Sequence, residues 1–132
     1  MLIGQLAATT GVTTKTLRFY ERRQLLRPPD RTSGGYRTYT ETTVDRVAFI
    51  KRAQAAGLTL RQIGDILAVR DAGHAPCEHV TRHVDDRLTE IDERLRHLHA
   101  TRQHLLDLRR RLDTLDPADC TPDGICRAIV EP

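Results

Sequence analysis

The stretch of sequence that decides the fold is CEHVTRHVDDRLTEIDERLRHLHATRQHLLDLRRRLDTL, residues 77–115. It contains no Gly or Pro, and apolar residues recur in it at alternating spacings of four and three: Val84, Leu88, Ile91, Leu95 and Leu98. This heptad pattern predicts one helix, roughly 58 Å long at about 1.5 Å per residue, with an apolar seam along one side. A single helix cannot bury such a seam, so we expect it to pack along a partner.

The far half of this helix carries a second apolar line. Arg102 and Arg109 occupy positions where the heptad calls for apolar side chains. The neighbouring stripe consists of Leu105, Leu108, Leu112 and Leu115. We therefore expect this end of the helix to pack on another segment as well as on its partner. A helical hairpin within one chain is the alternative, but no second stretch of comparable length exists, so the sequence favours a homodimer.

Charge divides the chain into a basic and an acidic half. Residues 1–70 hold twelve Lys and Arg against five Asp and Glu, a balance of +7, while residues 71–132 hold nine against thirteen, a balance of −4. A basic segment joined to an acidic, self-pairing segment is typical of a protein that binds nucleic acid on a dimeric scaffold. A solvated basic face without a partner is the alternative.

Composition excludes several classes of protein. At 132 residues the chain suffices for one modest domain and an arm. Its two Phe and three Tyr residues all precede residue 50, which leaves the second half without aromatic side chains to line a drug-sized pocket. No nucleophile–base pair or phosphate-binding glycine loop stands out, so we do not expect an enzyme. No leader or membrane-spanning segment is recognisable, so we expect a cytoplasmic protein that does not bind membranes.

Two short helices are predicted at the start of the chain. Gly11 ends the first helix, and Thr13 is suited to cap the second. This spacing is typical of a helix-turn-helix. The second helix would present side chains that contact phosphates and base edges in a DNA major groove, namely Thr14, Lys15, Arg18 and Tyr20.

A β-hairpin is predicted after the second helix. Gly34 and Gly35 permit the backbone dihedrals of a tight turn, and the residues on either side suit short strands. Beside a helix-turn-helix, such a hairpin is a wing. It would hold four side chains at an edge facing the DNA backbone: Arg31, Tyr36, Arg37 and Tyr39. A surface turn with incidental charges is the alternative.

A second pair of helices completes the first domain. The third helix begins near Thr40 and ends at Gly57, and Thr59 with Gln62 predicts a capping box for the fourth. Arg61 would lie at the N-terminus of the fourth helix, where backbone N–H groups favour a phosphate. The predicted organisation is a winged helix-turn-helix domain over 1–70, a hinge over 71–76, a dimerisation helix over 77–116, and a metal-binding loop and C-terminal tail over 117–132.

Taken together, these motifs resemble those of the MerR family of transcriptional regulators, in its soft-metal-responsive branch. The residues that carry the resemblance are Ile3-Gly4-Gln5-Leu6-Ala7, Gly11-Val12, Leu17-Arg18-Phe19-Tyr20-Glu21, Gly35-Tyr36-Arg37-Thr38-Tyr39, and Val44 through Leu60. With the long helix they cover nearly the whole chain. Two residues depart from the family pattern: Gln24 replaces the glycine usual after the second helix, and Phe19 replaces a common tyrosine and so removes one hydroxyl.

The resemblance implies a fold and a mode of action. The implied fold is mainly α, with a winged helix-turn-helix DNA-binding domain, a long antiparallel coiled-coil dimerisation helix and a short C-terminal metal-binding loop. The dimer would bind double-stranded promoter DNA whose two polymerase-recognition boxes are too far apart, and the induced dimer would bend and untwist that DNA for RNA polymerase. The implied DNA contacts are Lys15, Arg18, Tyr20, Tyr36 and Arg37, with Thr14 and Arg61 as further candidates.

Three cysteines lie where an antiparallel dimer would bring them together. Cys77 opens the long helix, and Cys120 and Cys126 flank a short loop beyond its end, so each loop would fall beside the start of the other chain's helix. Thiolates prefer soft metal ions. The resemblance adds that relatives sensing divalent ions have cysteine at the start of this helix, where sensors of copper, silver or gold usually have serine. We therefore expect a soft divalent inducer: zinc, cadmium, lead or mercury.

The sequence leaves the rest of the metal site open. A fourth ligand could come from His74, His79, Asp119 or Asp123, whereas three thiolates alone would suit mercury or lead. One alternative is a monovalent copper sensor. Another is a redox sensor in which Cys120 and Cys126 form a disulfide. An iron–sulfur cluster is disfavoured because it normally needs four cysteines and the chain has three.

Overall fold

A computed structural model describes residues 1–122 and 124–130 of the chain. The chain forms two compact units, Met1–Arg87 and Leu88–Pro132, and the boundary between them falls inside the longest helix. In chain order the described elements are α1 (Ile3–Thr10), α2 (Thr14–Arg22), β1 (Asp30–Arg31), β2 (Arg37–Thr38), α3 (Glu41–Ala56), α4 (Leu60–Asp71), α5 (Cys77–Thr114), a 3₁₀ turn (Pro117–Asp119) and α6 (Arg127–Val130).

The first unit is built from α1 to α4 around one apolar core. Leu17 of α2, Ile50 of α3 and Ile63 of α4 are fully buried, because each helix turns one apolar stripe inward and leaves its polar face in water. Other buried side chains of this unit include Leu6, Leu25, Val47, Ile66 and Leu67. This core fixes the two helix pairs that the sequence predicts.

The helix ends in this unit follow the predicted capping residues. The Thr13 hydroxyl accepts a hydrogen bond from the N–H of Thr16 at 3.2 Å. Thr59 and Gln62 form the predicted capping box, with the Thr59 hydroxyl accepting from the N–H of Gln62 at 3.2 Å. Helix α3 ends at Ala56, and the next residue, Gly57, has a φ of 109° in the left-handed region that favours glycine.

The end of α2 shows what replaces the family's usual glycine. The helix stops at Arg22, and Gln24 adopts a φ of 59°. The Gln24 N–H donates to the Glu21 carbonyl at 3.0 Å, and the N–H of Leu25 donates to the Tyr20 carbonyl at 2.9 Å. Gln24 therefore makes the left-handed turn that a glycine would make, at a steric cost of about 1–2 kcal/mol for a residue with a Cβ.

The predicted wing is present as a short antiparallel hairpin. Asp30 lies opposite Thr38, and Arg31 lies opposite Arg37. Gly35 makes the turn with a φ of 83°, which only a glycine adopts without strain. Each strand of the hairpin has two residues.

In the second unit, most of α5 meets solvent. Leu88, Leu95 and Leu98 are 54%, 58% and 63% exposed, so the predicted seam is uncovered in the single chain. The far end of α5 is different, because Ala128 of α6 is only 2% exposed and its carbonyl accepts a hydrogen bond from Arg111 Nε at 3.0 Å. The far end of α5 therefore contacts α6, although Leu105 and Leu112 of the predicted second stripe are 59% and 39% exposed.

The predicted fold class is confirmed as mainly α, with a winged helix-turn-helix and a long helix. The helix predicted over 77–116 is observed at Cys77–Thr114. Antiparallel pairing involves a second chain and stays a prediction, as do the domain limits at 1–70, 71–76 and 117–132. Among the described residues, no helix combines the length and apolarity needed to cross a membrane.

Candidate DNA-binding face and metal-ligating cysteines

Helix α2 presents two of its predicted contact residues to solvent. Lys15 and Arg18 are exposed, and Thr14 is half-buried at the first position of the helix. Because α2 is the second helix of the helix-turn-helix, these side chains belong to the element that enters a major groove in this class of fold. Two cations and one hydroxyl are therefore available for phosphates and base edges.

Tyr20 does not belong to this exposed set, and the prediction for it is corrected. Its side chain is 4% exposed, its hydroxyl donates to Gln54 Oε1 at 2.9 Å, and burial raises its pKa. Tyr20 follows Leu17 by three residues, so both lie on the same face of α2, which is the core face. Helical periodicity within α2 could have identified this role.

A groove of about 550 Å³ runs between the wing, α2 and the start of α1. Its lining includes Arg18 from α2 and Arg31 and Arg37 from the wing. Tyr36 at the wing tip is 70% exposed, and Arg31 Nη1 donates to the Gly35 carbonyl at 2.8 Å. Three guanidinium groups beside the first turn of a helix make this groove attractive to a phosphate.

Glu21 joins α2 to the wing, a role that no local sequence pattern indicates. Its carboxylate accepts a hydrogen bond from Arg37 Nε at 3.2 Å and another from the Tyr39 hydroxyl. Burial and the adjacent Glu21 carboxylate both raise the pKa of Tyr39, which is 5% exposed and does not face the DNA edge as expected. These partners are 16 and 18 residues away in sequence, so no local pattern could identify the contact.

Arg61 lies at the second position of α4 and is exposed. It lines a groove with Arg22 and Arg23 from the end of α2. The sequence analysis does not predict Arg22 and Arg23 as site residues. They lie at the C-terminal end of α2, whereas the predicted contacts lie nearer the start of that helix. With the first turn of α4, they form a second positively charged surface in the same unit.

All three cysteines are free thiols at the surface. Cys77 is the first residue of α5 in the first unit. In the second unit, Cys120 follows the 3₁₀ turn and Cys126 directly precedes α6. The N–H of Cys120 donates to the Pro117 carbonyl at 3.2 Å, and the Cys126 carbonyl accepts from Ile129 at 3.1 Å. Both backbones are thus held in hydrogen-bonded turns that leave the thiols accessible.

Within residues 1–122 and 124–130 of one chain, no three His, Cys, Asp or Glu side chains are grouped closely enough to hold a metal. The donor chemistry itself suits soft ions. Among the candidate fourth ligands, His74 and Asp119 are exposed and His79 is half-buried, while Asp123 lies outside the described residues.

Comparison with known proteins identifies the family. Residues 1–69 match the MerR HTH family regulatory protein, and residues 44–108 match the family described as MerR, DNA binding. The chain belongs to the MerR family. This MerR-family chain is 39% identical over 109 residues to the mercuric resistance operon regulatory protein of Bacillus cereus. The aligned residues cover 83% of each chain.

Two solved structures of MerR-type regulators are similar over nearly the whole chain. The transcription regulator PbrR691 from Ralstonia metallidurans CH34, in complex with lead(II), is 34% identical with a TM-score of 0.79 and covers 91% of this chain and 94% of its own. The dual function transcriptional regulator MerR from Bacillus megaterium MB1, in complex with mercury(II), is 32% identical with a TM-score of 0.64 and covers 99% and 97%. These relatives are regulators, so this MerR-family chain is a regulator and not an enzyme, as predicted.

Proposed function

We propose that this MerR-family protein is a cytoplasmic transcriptional regulator that binds promoter DNA as a homodimer and responds to a soft divalent metal ion. One observation carries the proposal. Three free, exposed thiols flank the two ends of α5 in a chain whose relatives include a mercuric resistance regulator and proteins crystallised with lead(II) and mercury(II). Soft thiol donors match that set of ions.

The two basic surfaces of the first unit support double-stranded promoter DNA as the partner. Lys15, Arg18, Tyr36 and Arg37 would contact one half of the promoter, with Thr14 and Arg61 beside them. Lys15 and Arg18 are exposed, whereas Arg37 is half-buried and pairs with Glu21. Their ammonium and guanidinium groups suit phosphate contacts, which fix orientation on the duplex without reading its sequence. Tyr20 would act indirectly by anchoring α2 to the core through Gln54.

The uncovered seam of α5 supports the homodimer. Leucine side chains along one side of α5 are more than half exposed, which is unfavourable in water. The same side of α5 in a second copy would pack against them and bury both. In an antiparallel pair, Cys77 of one chain would meet Cys120 and Cys126 of the other, with His74 or His79 as a possible fourth ligand. The metal-bound dimer would then bend and untwist the promoter so that RNA polymerase can use it.

The first test is a titration of the reduced, metal-free protein with zinc, cadmium, lead, mercury and cuprous ions. Thiolate-to-metal absorption gives the stoichiometry, and transcription from the cognate promoter is measured in the same mixtures. We expect one divalent ion per chain and induction at the same concentration. Binding and induction by the cuprous ion alone would identify the monovalent alternative. Induction that follows oxidation without any metal would identify the redox alternative.

A Cys126→Ser variant tests the thiol assignment. We expect metal-dependent transcription to fall at least tenfold, because the site loses one of its three soft ligands, while promoter affinity stays within about twofold of the unaltered protein. Thr121→Ser in the same loop is the matched control and should respond normally. Full induction of Cys126→Ser would contradict the proposed site.

A further inference from the structure

The first three turns of α5 belong to the first unit and not to the exposed arm. The half-buried positions include Pro76, directly before the helix, and Val80, His83 and Arg87 within it. Their spacings of four, three and four place them on one face of the helix. This face is distinct from the seam that begins at Val84, which is 40% exposed. The start of α5 therefore has one half-buried face within the first unit and a second face, beginning at Val84, that is exposed.

Three polar contacts fasten the half-buried face. Arg87 Nε donates a hydrogen bond to the Gly57 carbonyl at 2.8 Å, and Gln62 Nε2 donates to the His83 carbonyl at 3.3 Å. His83 Nε2 also lies 3.7 Å from Asp65 Oδ2. We call these five residues the α4–α5 junction. It joins α5 to the turn between α3 and α4 and to the first turns of α4.

Gln62 has two separate roles in this junction. Its Oε1 accepts from the N–H of Thr59 at 3.0 Å and so completes the capping box of α4, while its Nε2 reaches α5. The side chain is buried, at 8% exposure, where an amide with unmatched donors would be costly. An amide side chain carries both an acceptor oxygen and a donor N–H₂ group, so Gln62 can accept at the cap and donate to the His83 carbonyl at once.

The junction also links two candidate sites that are apart in sequence. Cys77 precedes His83 by six residues of continuous helix, less than two turns. Arg61, the candidate phosphate contact, directly precedes Gln62 in the first turn of α4. The hydrogen bonds from Gln62 and Arg87 thus connect the helix that begins at Cys77 to the segment that carries Arg61.

We propose that the α4–α5 junction couples the metal-responsive cysteines to the DNA-binding surface, with Arg87 and Gln62 as the positioning residues. The inference rests on the proposed function, since it concerns how the metal signal reaches the promoter. Neither residue is among the proposed metal ligands or DNA contacts. Each acts by holding the start of α5 against the α3–α4 turn, so that the two ligand sites share one coupling free energy.

An Arg87→Met variant tests the junction, because methionine keeps the aliphatic bulk and the helix propensity but removes the Nε donor. We expect metal affinity and metal-free promoter affinity to stay within about threefold of the unaltered protein, while the ratio of induced to uninduced transcription falls at least tenfold. Gln62→Glu is the second variant, since a carboxylate keeps the cap acceptor and loses the donor; the same pattern is expected. Arg96→Met on the exposed part of α5 is the control and should behave as the unaltered protein.

The outcomes separate the two proposals. If the unaltered protein responds to metal and both junction variants respond equally well, the coupling inference is overturned and the proposed function stands. Loss of metal binding or of promoter binding in Arg87→Met would also overturn it, because the residue would then be structural or part of a binding site. If the unaltered protein responds to no metal, both proposals fail together.

Discussion

The two units of this chain use their apolar residues in opposite ways. In the first unit Leu17, Ile50 and Ile63 are fully buried, so α1 to α4 close a core of their own. In the second unit Leu95 and Leu98 are more than half exposed, and Ala128 is the buried residue among those described there. The first unit therefore closes its own apolar core, whereas the second unit leaves an apolar surface that a further helix would cover.

The largest expected effect comes from making the same leucine-to-alanine change in each unit. Leu17→Ala should lower the free energy of unfolding of the first unit by about 2–5 kcal/mol, because it opens a cavity in a closed core. Leu95→Ala should change that free energy by less than about 0.5 kcal/mol. It should instead raise the dimer dissociation constant at least tenfold, since it truncates the proposed seam.

Two measurements separate these effects. All the aromatic residues lie before residue 50, so near-ultraviolet circular dichroism during urea unfolding reports on the first unit alone. Sedimentation equilibrium reports on the dimer. If Leu95→Ala dimerised as tightly as the unaltered protein, the seam would not be the dimer face. If Leu17→Ala left the unfolding midpoint unchanged, the closed core would not be what stabilises the first unit.

An intermediate effect is expected where polar contacts fasten the first unit. Asp71 at the end of α4 accepts from Arg46 Nη1 at 2.7 Å and from Arg46 Nη2 at 2.9 Å, and Arg27 Nη2 lies 3.3 Å from it. The hydrogen bonds from Arg46 are the main cause that lowers the pKa of Asp71. Asp71→Asn should cost about 1 kcal/mol at pH 7 in the same urea experiment.

The sign of the pH dependence follows from that lowered pKa. Above the ordinary aspartate value of about 3.9 both states are ionised, so the ion pair stabilises the fold fully. As the pH falls below that value, the unfolded chain takes up the proton first and the stabilisation is lost. The difference in free energy of unfolding between the unaltered protein and Asp71→Asn should therefore shrink below about pH 4. Asp45→Asn, at an exposed acid on α3, is the control. If the difference between the unaltered protein and Asp71→Asn did not vary with pH, this reasoning would be contradicted.

The smallest expected effect concerns backbone strain in the first unit. Gln24 holds a φ of 59° at the end of α2, and Gln24→Gly should raise the free energy of unfolding by roughly 0.5–1 kcal/mol, after the extra chain entropy of glycine is subtracted from the relieved strain. Gln24→Ala keeps a Cβ at the same φ and should give no gain. Equal stability of the glycine and alanine variants would mean that the left-handed turn is unstrained.

Much of the fold could be predicted because its determinants are local. The capping residues Thr13 and Thr59, the glycines at positions 11 and 57, and the hairpin around Gly35 all act within a few residues of themselves. Each therefore leaves a pattern in the sequence that physical chemistry can interpret. The exposed DNA-facing candidates Lys15 and Arg18 follow from the same kind of pattern.

The parts of the site that could not be predicted depend on contacts distant in sequence. Glu21 meets Arg37 and Tyr39 only after the wing has folded beside α2. The half-buried face of α5 carries His83 and Arg87, whose polar side chains give no apolar periodicity to detect. Tyr20 is an intermediate case. Its spacing of three from Leu17 predicts a place on the core face of α2, whereas its phenolic hydroxyl suits a contact with DNA.

The sequence alone determined the helices, the wing, the uncovered seam and the set of three thiols, because spacing, capping and donor chemistry are properties of the chain itself. The folded chain was needed to show that Tyr20 is buried, that Glu21 joins the wing to α2, and that the start of α5 is hydrogen-bonded to α4 through Gln62. The physical reason is that a hydrogen bond between distant segments depends on where the core brings them, and that placement is a property of the whole packed unit.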